Sequence, residues 1–418
     1  LSWIERKLVS LEFNKVVVQV QKMGATLEKL DLTISDKLQI ALERLHNATD
    51  LQAIHERIEL VRRSNVSGYR GAAPLDEDIY ATFPPPPPPE SATILAADGS
   101  QIYPDHHSPS LYYLINIGVF VYHHGPGQLP EQSTTPELFY TEKYLRDEDK
   151  RVVSNQTINA RRTVAEMRTL AEKAWDLRGF PRPLIALHDG NLLKFFAGGD
   201  AVDYGDLEQA YLAAMVHLHD AQATLAGFID DPLSTPVVSL LHLLSLTPQA
   251  VSATNFKTDG DLEGLMDKYI FSRTLEPGER SAIMVQNSPQ NLRYKEGLGG
   301  GASYEIAFFY VNVSDGYPAS IARVDIPMWV ARDSLAVDEL HALILTQCAI
   351  QGRKHYPYAL TRADELAYVS GTEKAQLNEL IRVEMRNRRL YLRDGGPAKM
   401  ETKLLARGEN KRHHKLGG

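Results

Sequence analysis

Apolar side chains recur at three- and four-residue steps through the first part of the chain: Leu8, Leu11, Val16, Val20 and Met23, then Ile34, Leu38, Leu42, Leu45, Leu51, Ile54 and Ile58. That spacing lines one face of a helix and predicts an amphipathic helical region over 1–67, a surface suited to dimer or partner contact. The pattern stops at 68–90. Gly68, Gly71, Pro74 and six consecutive prolines at 84–89 impose an extended path without ladder hydrogen bonds, so a Pro-rich linker is expected there.

Beyond residue 90 the periodicity changes. Ala92-Thr93-Ile94-Leu95-Ala96-Ala97 is a short apolar run that stops at Asp98-Gly99-Ser100, and 111–122 is a longer β-rich segment. Ile158, Val164, Met167, Leu170 and Ala174 return to helical spacing, and Pro183-Leu184-Ile185-Ala186-Leu187-His188 then runs into Asp189-Gly190. Further helices are predicted over 207–226, 334–351 and 364–386, with a pair of strands over 306–313 and 319–326. Strand, crossover helix and strand in succession point to an α/β core, a mixed sheet flanked by helices, spanning 91–390. Residues 391–418 read as a basic tail.

Composition narrows the class. The 418 residues are 43% hydrophobic and 23% charged, which fits globular domains and excludes a mostly disordered or collagen-like chain. No apolar run reaches the roughly 18 residues of a membrane span, so no membrane association is expected. One cysteine, Cys348, excludes an intrachain disulfide; with no basic-then-apolar leader in view, the cytoplasm is the expected compartment. A net charge of −8 argues against a surface that is basic all over, though it leaves room for a local basic channel.

The candidate chemistry lies in the two Asp-Gly words. An aspartate at the carboxyl end of an apolar strand projects into the crevice outside the sheet, and the following glycine lets the chain turn sharply while leaving space for a ligand. If both strands are neighbours, Asp98 and Asp189 sit a few ångströms apart, where like charges are costly unless a divalent cation neutralises them. Oxygen ligands alone suit Mg²⁺ or Mn²⁺. The crossover helix offers two more carboxylates, Glu166 and Glu172, and the earlier lies nearer the carboxyl edge, so Glu166 is the expected third ligand. His217 and His219 point to different sides of a helix and make a poor zinc site. Gly297-Leu298-Gly299-Gly300-Gly301 lacks the Gly-Lys-Ser/Thr ending of a phosphate-binding loop, and no Gly-x-Ser-x-Gly elbow is present.

In order along the chain, several words resemble those of the NurA nucleases: Leu95-Ala96-Ala97-Asp98-Gly99-Ser100-Gln101-Ile102, Tyr113-Leu114-Ile115-Asn116-Ile117-Gly118, Leu187-His188-Asp189-Gly190-Asn191, Gly227-Phe228-Ile229-Asp230, Ile321-Ala322-Arg323-Val324-Asp325-Ile326-Pro327 and Tyr356-Pro357-Tyr358-Ala359-Leu360. The resemblance spans about residues 92–385. It implies an RNase H-like core, Mn²⁺-dependent DNA cleavage and a homodimer enclosing a DNA channel. It also implies partnership with a HerA-type hexameric ATPase in processing DNA ends, by 5′-to-3′ exonuclease and single-strand endonuclease action.

By the same resemblance Asp98, Glu166 and Asp189 bind metal and a late tyrosine, Tyr356, completes the site with a histidine. Eight residues after Tyr356 this chain has Asp364 instead, either as an additional ligand or as a departure that weakens metal occupancy. Two divalent ions can activate water and relieve the leaving oxygen, and the protein then supplies mostly carboxylates. Arg161, Arg162, Arg168, Lys257, Arg353 and Lys354 are the expected contacts to DNA phosphates, which carry little sequence preference. Two alternatives accompany this reading: a non-cutting DNA-binding or ATPase-regulating subunit, and the same nuclease acting in antiviral defence rather than repair.

Overall fold

The computed structural model describes residues 13–64, 68–125, 127–147, 149–196, 204–296 and 304–390. The expected basic tail and the glycine-rich 297–301 lie outside them. The chain forms two compact units that do not follow its linear order. One unit is Leu1–Pro84, Asp231–Ser288 and Phe308–Ala322; the other is Pro85–Asp230, Pro289–Ala307 and Arg323–Gly418. The span 91–390 is thus divided between two units, because Asp231–Ser288 buries its apolar residues in the same core as the N-terminal helices.

In the first unit the helices Phe13–Asn47 and Leu51–Ser64 bury Leu38, Leu45, Ile54, Ile58 and Val61 against Val237, Val238, Leu240, Leu241, Ile270 and Phe271. The helix Pro236–Ser245 is anchored at its start by a buried carboxylate. Asp267 accepts from the amides of Val237 and Val238 at 3.0 and 2.9 Å and from the Tyr310 hydroxyl at 2.7 Å, which satisfies donors that have no partner within the helix. The stretch 68–90 is more than a spacer. Ala72–Pro74 pairs antiparallel with Met284–Gln286, and Thr82–Phe83 pairs with Arg280–Ser281. The six prolines themselves carry no helix or strand, as their missing amide hydrogens require.

The second unit carries the sheet that matters for chemistry. Its strands are β1 (Ala92–Ile102), β2 (Tyr113–His124), β3 (Glu131–Phe139), β4 (Leu184–Asp189) and β5 (Thr224–Ile229), and the Arg323–Asp325 stretch of β6 (Ile321–Pro327) pairs antiparallel with β5. β1, β2 and β3 form an antiparallel meander, and β4 and β5 follow parallel to β1, in the order β3-β2-β1-β4-β5. That order is the RNase H-like arrangement the resemblance implied. The helices are α1 (Asn155–Asp176), α2 (Tyr204–Asp220), α3 (Ser334–Ile350), α4 (Tyr358–Ala367) and α5 (Gly371–Asn387).

Several boundaries differ from those expected, each for a physical reason. β1 does not stop at Asp98-Gly99: its partner β4 ends there, but β2 goes on pairing from Asp98↔Gly118 to Ile102↔Leu114. The helix predicted over 207–226 ends at Asp220, and Thr224–Ile229 is a buried strand, a short apolar run that periodicity alone does not separate from a helix. The helix predicted over 364–386 is two helices. Ser370 caps α5 through a reciprocal pair with Glu373, the Ser370 side chain accepting from the Glu373 amide and the Glu373 carboxylate from the Ser370 amide. β3 carries no apolar alternation because most of its side chains are exposed. Among the described residues no helix is long and apolar enough to cross a membrane.

The core lies between β1–β2 and α1, where Leu95, Ala97, Ile115 and Ile117 meet Met167, Leu170 and Ala174. On the other face α4 lies directly on the sheet at Gly118. A Cβ there would sit 2.5 Å from the Ala363 carbonyl oxygen and 2.5 Å from the Ala367 amide nitrogen. Asn116 and Ser100 both donate to the Ala367 carbonyl, at 2.9 and 2.5 Å. The Gly118→Ala variant should therefore lose about 2 kcal/mol or more by overpacking, since both obstructing atoms are backbone. A urea midpoint equal to wild type would contradict this seating of α4.

Candidate active site

The parallel register between β1 and β4 ends at Ala97↔His188. Asp98 and Asp189 are the next residue on each strand, so they stand side by side on backbones about 4.8 Å apart. Cross-strand partners point to the same face, and alternation sets the face at each position. Asp98 faces α4, as its partner Gly118 does, and Asp189 shares that face. Gly99 points the other way, toward α1.

The glycine after Asp98 has a spatial task rather than a turn to make. A Cβ at residue 99 would lie 2.6 Å from Glu166 Oε1 and 2.9 Å from Arg162 Cγ. Glu166, on α1 and 5% exposed, thus reaches the sheet edge through the room that Gly99 leaves. Glu172, six residues later, is exposed and lies 3.7 Å from Arg168, whereas Glu166 lies within the field of Asp98 and Asp189. Gly190 does make a turn. Its φ is +84°, its amide donates to the Phe228 carbonyl at 2.8 Å, and it leads the chain away from the sheet.

Tyr356 and Asp364 arrive from the region of α3 and α4. A left-handed His355 (φ +49°) precedes Tyr356, whose carbonyl accepts from Gln351 Nε2 at 3.0 Å. The Tyr356 hydroxyl donates to Asp189 Oδ1 at 2.7 Å, and its ring stands edge-on to Phe228, centroids 5.3 Å apart. Asp364, exposed on α4, contributes its negative charge to the field at Asp98. All five residues expected at the site therefore share one electrostatic neighbourhood.

That neighbourhood is over-supplied with negative charge. Burial pushes the Asp98 carboxyl up to about 6, and Asp189 and Asp364 add repulsion, while the Gly99 amide, 2.7 Å from Oδ1, and Arg162 oppose the shift. Burial likewise raises Glu166 well above the ordinary carboxylate range, with Asp98 and Asp189 adding to it and Arg162 and Lys194 countering. Arg162 Nη1 is 3.1 Å from Glu166 Oε1 without hydrogen-bond geometry, and it donates to the Gly99 carbonyl at 2.7 Å. Burial raises the Tyr356 hydroxyl far above its usual range, followed by the charge of Asp189, so it stays protonated as a donor.

The donor chemistry fits a hard divalent cation: three carboxylates, and a buried oxygen, Glu166 Oε1, with no hydrogen-bond partner among the described residues. The closed geometry is another matter. Among the described residues no three His, Cys, Asp or Glu side chains are already arranged to hold an ion. Asp98 and Asp189 lie on one face of the sheet and Glu166 comes from the other, so bringing them to one ion requires side-chain rotation.

The expected DNA contacts fall into different settings. Arg162 is committed to Glu166 and Gly99, and Arg161 donates to the Tyr113 hydroxyl at 2.8 Å and the Tyr144 carbonyl at 2.9 Å, so both brace the protein internally. Arg168 is exposed, and Arg353 and Lys354 are exposed on a turn just before Tyr356. Lys257 belongs to the other unit. Two residues near the acids were not expected at the site: Lys194, whose charge opposes those of Glu166, Asp325 and Asp189, and the buried Asp325, which lies in one of the family-like words and accepts from the Leu192 amide at 3.1 Å. A lysine five residues past an Asp-Gly word has no spacing rule that would single it out.

A family model described as the NurA domain matches residues 92–369. Among solved structures the chain is similar to the crystal structure of the NurA nuclease from Sulfolobus solfataricus, with 11% identity, 89% of this chain and 97% of that chain covered, and a TM-score of 0.49. A second crystal structure, of NurA, shows 13% identity over 73% of this chain and 91% of that one, with a TM-score of 0.32. No curated protein matches.

The raised carboxyl of Asp98 has a consequence for stability. Its value in the fold, about 6, exceeds the ordinary 3.8, so the folded state holds a proton that the unfolded chain releases. This contribution is fully present below about pH 4 and is lost as pH rises through about 6. Without divalent metal, Asp98→Asn should therefore be more stable than wild type at pH 8, on the order of 1–2 kcal/mol, with the gain shrinking toward pH 4. Urea denaturation in EDTA at both pH values is the check. A gain equal at both would contradict the electrostatic account.

Proposed function

The chain belongs to the NurA family, and we propose that it is a metal-dependent DNA nuclease whose reacting centre is the sheet edge at Asp98, Asp189 and Glu166. One observation carries this reading. The parallel register sets Asp98 beside Asp189, and the space at Gly99 admits Glu166, so acids from three elements share one partly buried edge. Held there, Mn²⁺ ions, with Mg²⁺ as the alternative and two ions as the expected number, would supply water activation and charge neutralisation at the phosphate.

The chain's own residues account for the rest. Asp98 and Asp189 offer hard oxygens toward the α4 face, and Glu166 adds an oxygen from α1. Tyr356 fixes the rotamer of Asp189 through a neutral hydrogen bond and adds no charge of its own. Arg162 and Lys194 oppose part of the acid charge at Glu166. Arg353, Lys354 and Arg168 supply exposed positive charge for the phosphate backbone, a mode that reads little sequence and weakens with salt.

Family membership motivates the finer parts of the proposal: 5′-to-3′ exonuclease and single-strand endonuclease action on DNA ends, a homodimer, and a HerA-type hexameric ATPase as partner in the cytoplasm. A second reading, a subunit that binds DNA or regulates the motor without cutting, draws on Asp364, whose charge adds to the repulsion at Asp98. An assay in Mn²⁺ separates the two. Asp98→Ala and Asp189→Ala should each reduce cleavage of single-stranded DNA by about 100-fold or more. Tyr356→Phe should cost about five- to tenfold, the worth of one orienting hydrogen bond. Equal cleavage by wild type and both alanine variants would refute the site, and no cleavage by wild type would favour the regulatory reading.

A further inference from the structure

The segment that follows Asp189 is pinned at every second residue. The Gly190 amide donates to the Phe228 carbonyl at 2.8 Å, the Leu192 amide to Asp325 Oδ2 at 3.1 Å, and the Tyr211 hydroxyl to the Leu192 carbonyl at 3.0 Å. The Lys194 amide donates to the Tyr294 hydroxyl at 3.1 Å, and its carbonyl accepts from Gln290 Nε2 at 3.0 Å. Phe196 is buried, its ring 5.6 Å from that of Tyr211. Between these two fixed residues stands Phe195, 66% exposed.

An isolated exposed phenylalanine is ordinary on a protein surface. This one differs in two ways. Its backbone is held on both sides, so presenting the ring to a ligand costs little ordering beyond two side-chain torsions. The same segment begins at Asp189 itself, so the ring is tied to the acid edge by six residues of braced chain. An exposed aromatic ring on braced backbone is a platform on which a base of single-stranded nucleic acid stacks.

We propose that Phe195 is a stacking platform for an unpaired base of the DNA strand, so that this braced segment positions the strand at the acid edge. The inference rests on the nuclease reading and adds to it a structural source of preference for single strands. A duplex keeps its bases stacked on one another and offers Phe195 no free face.

The test uses the full chain and single-stranded oligonucleotides carrying 2-aminopurine, whose emission falls when an aromatic ring stacks on it. Titrations are read by emission and by anisotropy, in EDTA and again in Ca²⁺. Wild type should bind and quench. Phe195→Ala should bind about tenfold more weakly and lose the quench, and Phe195→Trp should restore both. In Mn²⁺, Phe195→Ala should raise KM for single-stranded substrate far more than it lowers kcat, a split that a merely structural role would not produce. Binding and quenching unchanged in Phe195→Ala would overturn the inference and leave the nuclease reading standing. Absence of any binding by wild type would overturn both.

Discussion

Two carboxylates on adjacent strands, at the point where parallel pairing stops, set the terms for the rest of the second unit. Asp98 and Asp189 stand one strand spacing apart at a partly buried edge, and burial, with the repulsion of Asp189 and Asp364, lifts the Asp98 carboxyl to about 6. A fold that keeps such a pair must counter it nearby. Arg162 reaches Glu166 and the Gly99 carbonyl, Lys194 opposes the acids from the segment after β4, and Tyr356 gives Asp189 a neutral donor. Like charges held together without a bound cation cost stability, and a functional edge is where a protein is expected to bear that cost.

The geometry around this edge depends on missing side chains as much as on present ones. Gly118 lets α4 rest on the strand, which brings Asp364 over the same face as Asp98. Gly99 leaves the volume that Glu166 fills from the opposite face. Gly227 lies where a Cβ would come 2.5 Å from the Gly190 carbonyl, so the turn after Asp189 can pack against β5. Each glycine removes one obstacle between a strand and the element that carries an acid or its brace. Asp325 adds the converse, a buried carboxylate whose oxygens are taken by the Leu192 amide and by Arg323, so it stiffens the segment that carries Lys194 and Phe195.

Much of this was legible in the sequence, and the misses are instructive. The two Asp-Gly words marked the aspartates because an apolar run ending in an acid is a local pattern. Of the two tasks expected of Gly99, the turn is absent because β2 pairs past it, and the space it leaves is taken by Glu166 rather than by a ligand. Arg161 and Arg162 were expected at DNA phosphates, and the fold adds internal partners that no local pattern reveals. Those partners are Tyr113, Tyr144, Gly99 and Glu166. β3, with exposed side chains and a proline at 136, carried no apolar alternation to betray it.

Local periodicity and short words determined the helices of the N-terminal region, the strands that bear Asp98 and Asp189, and the family to which the chain belongs, because each rests on neighbours within a few residues. Tertiary structure alone decided that Gly99 clears the room through which Glu166 reaches the sheet edge and that Asp231–Ser288 joins the N-terminal helices in one unit. It also decided that Lys194 faces the acids while Phe195 stays in solvent. Those outcomes depend on strand register and on which faces pack together, and such contacts join segments too distant in the chain for any local pattern to encode.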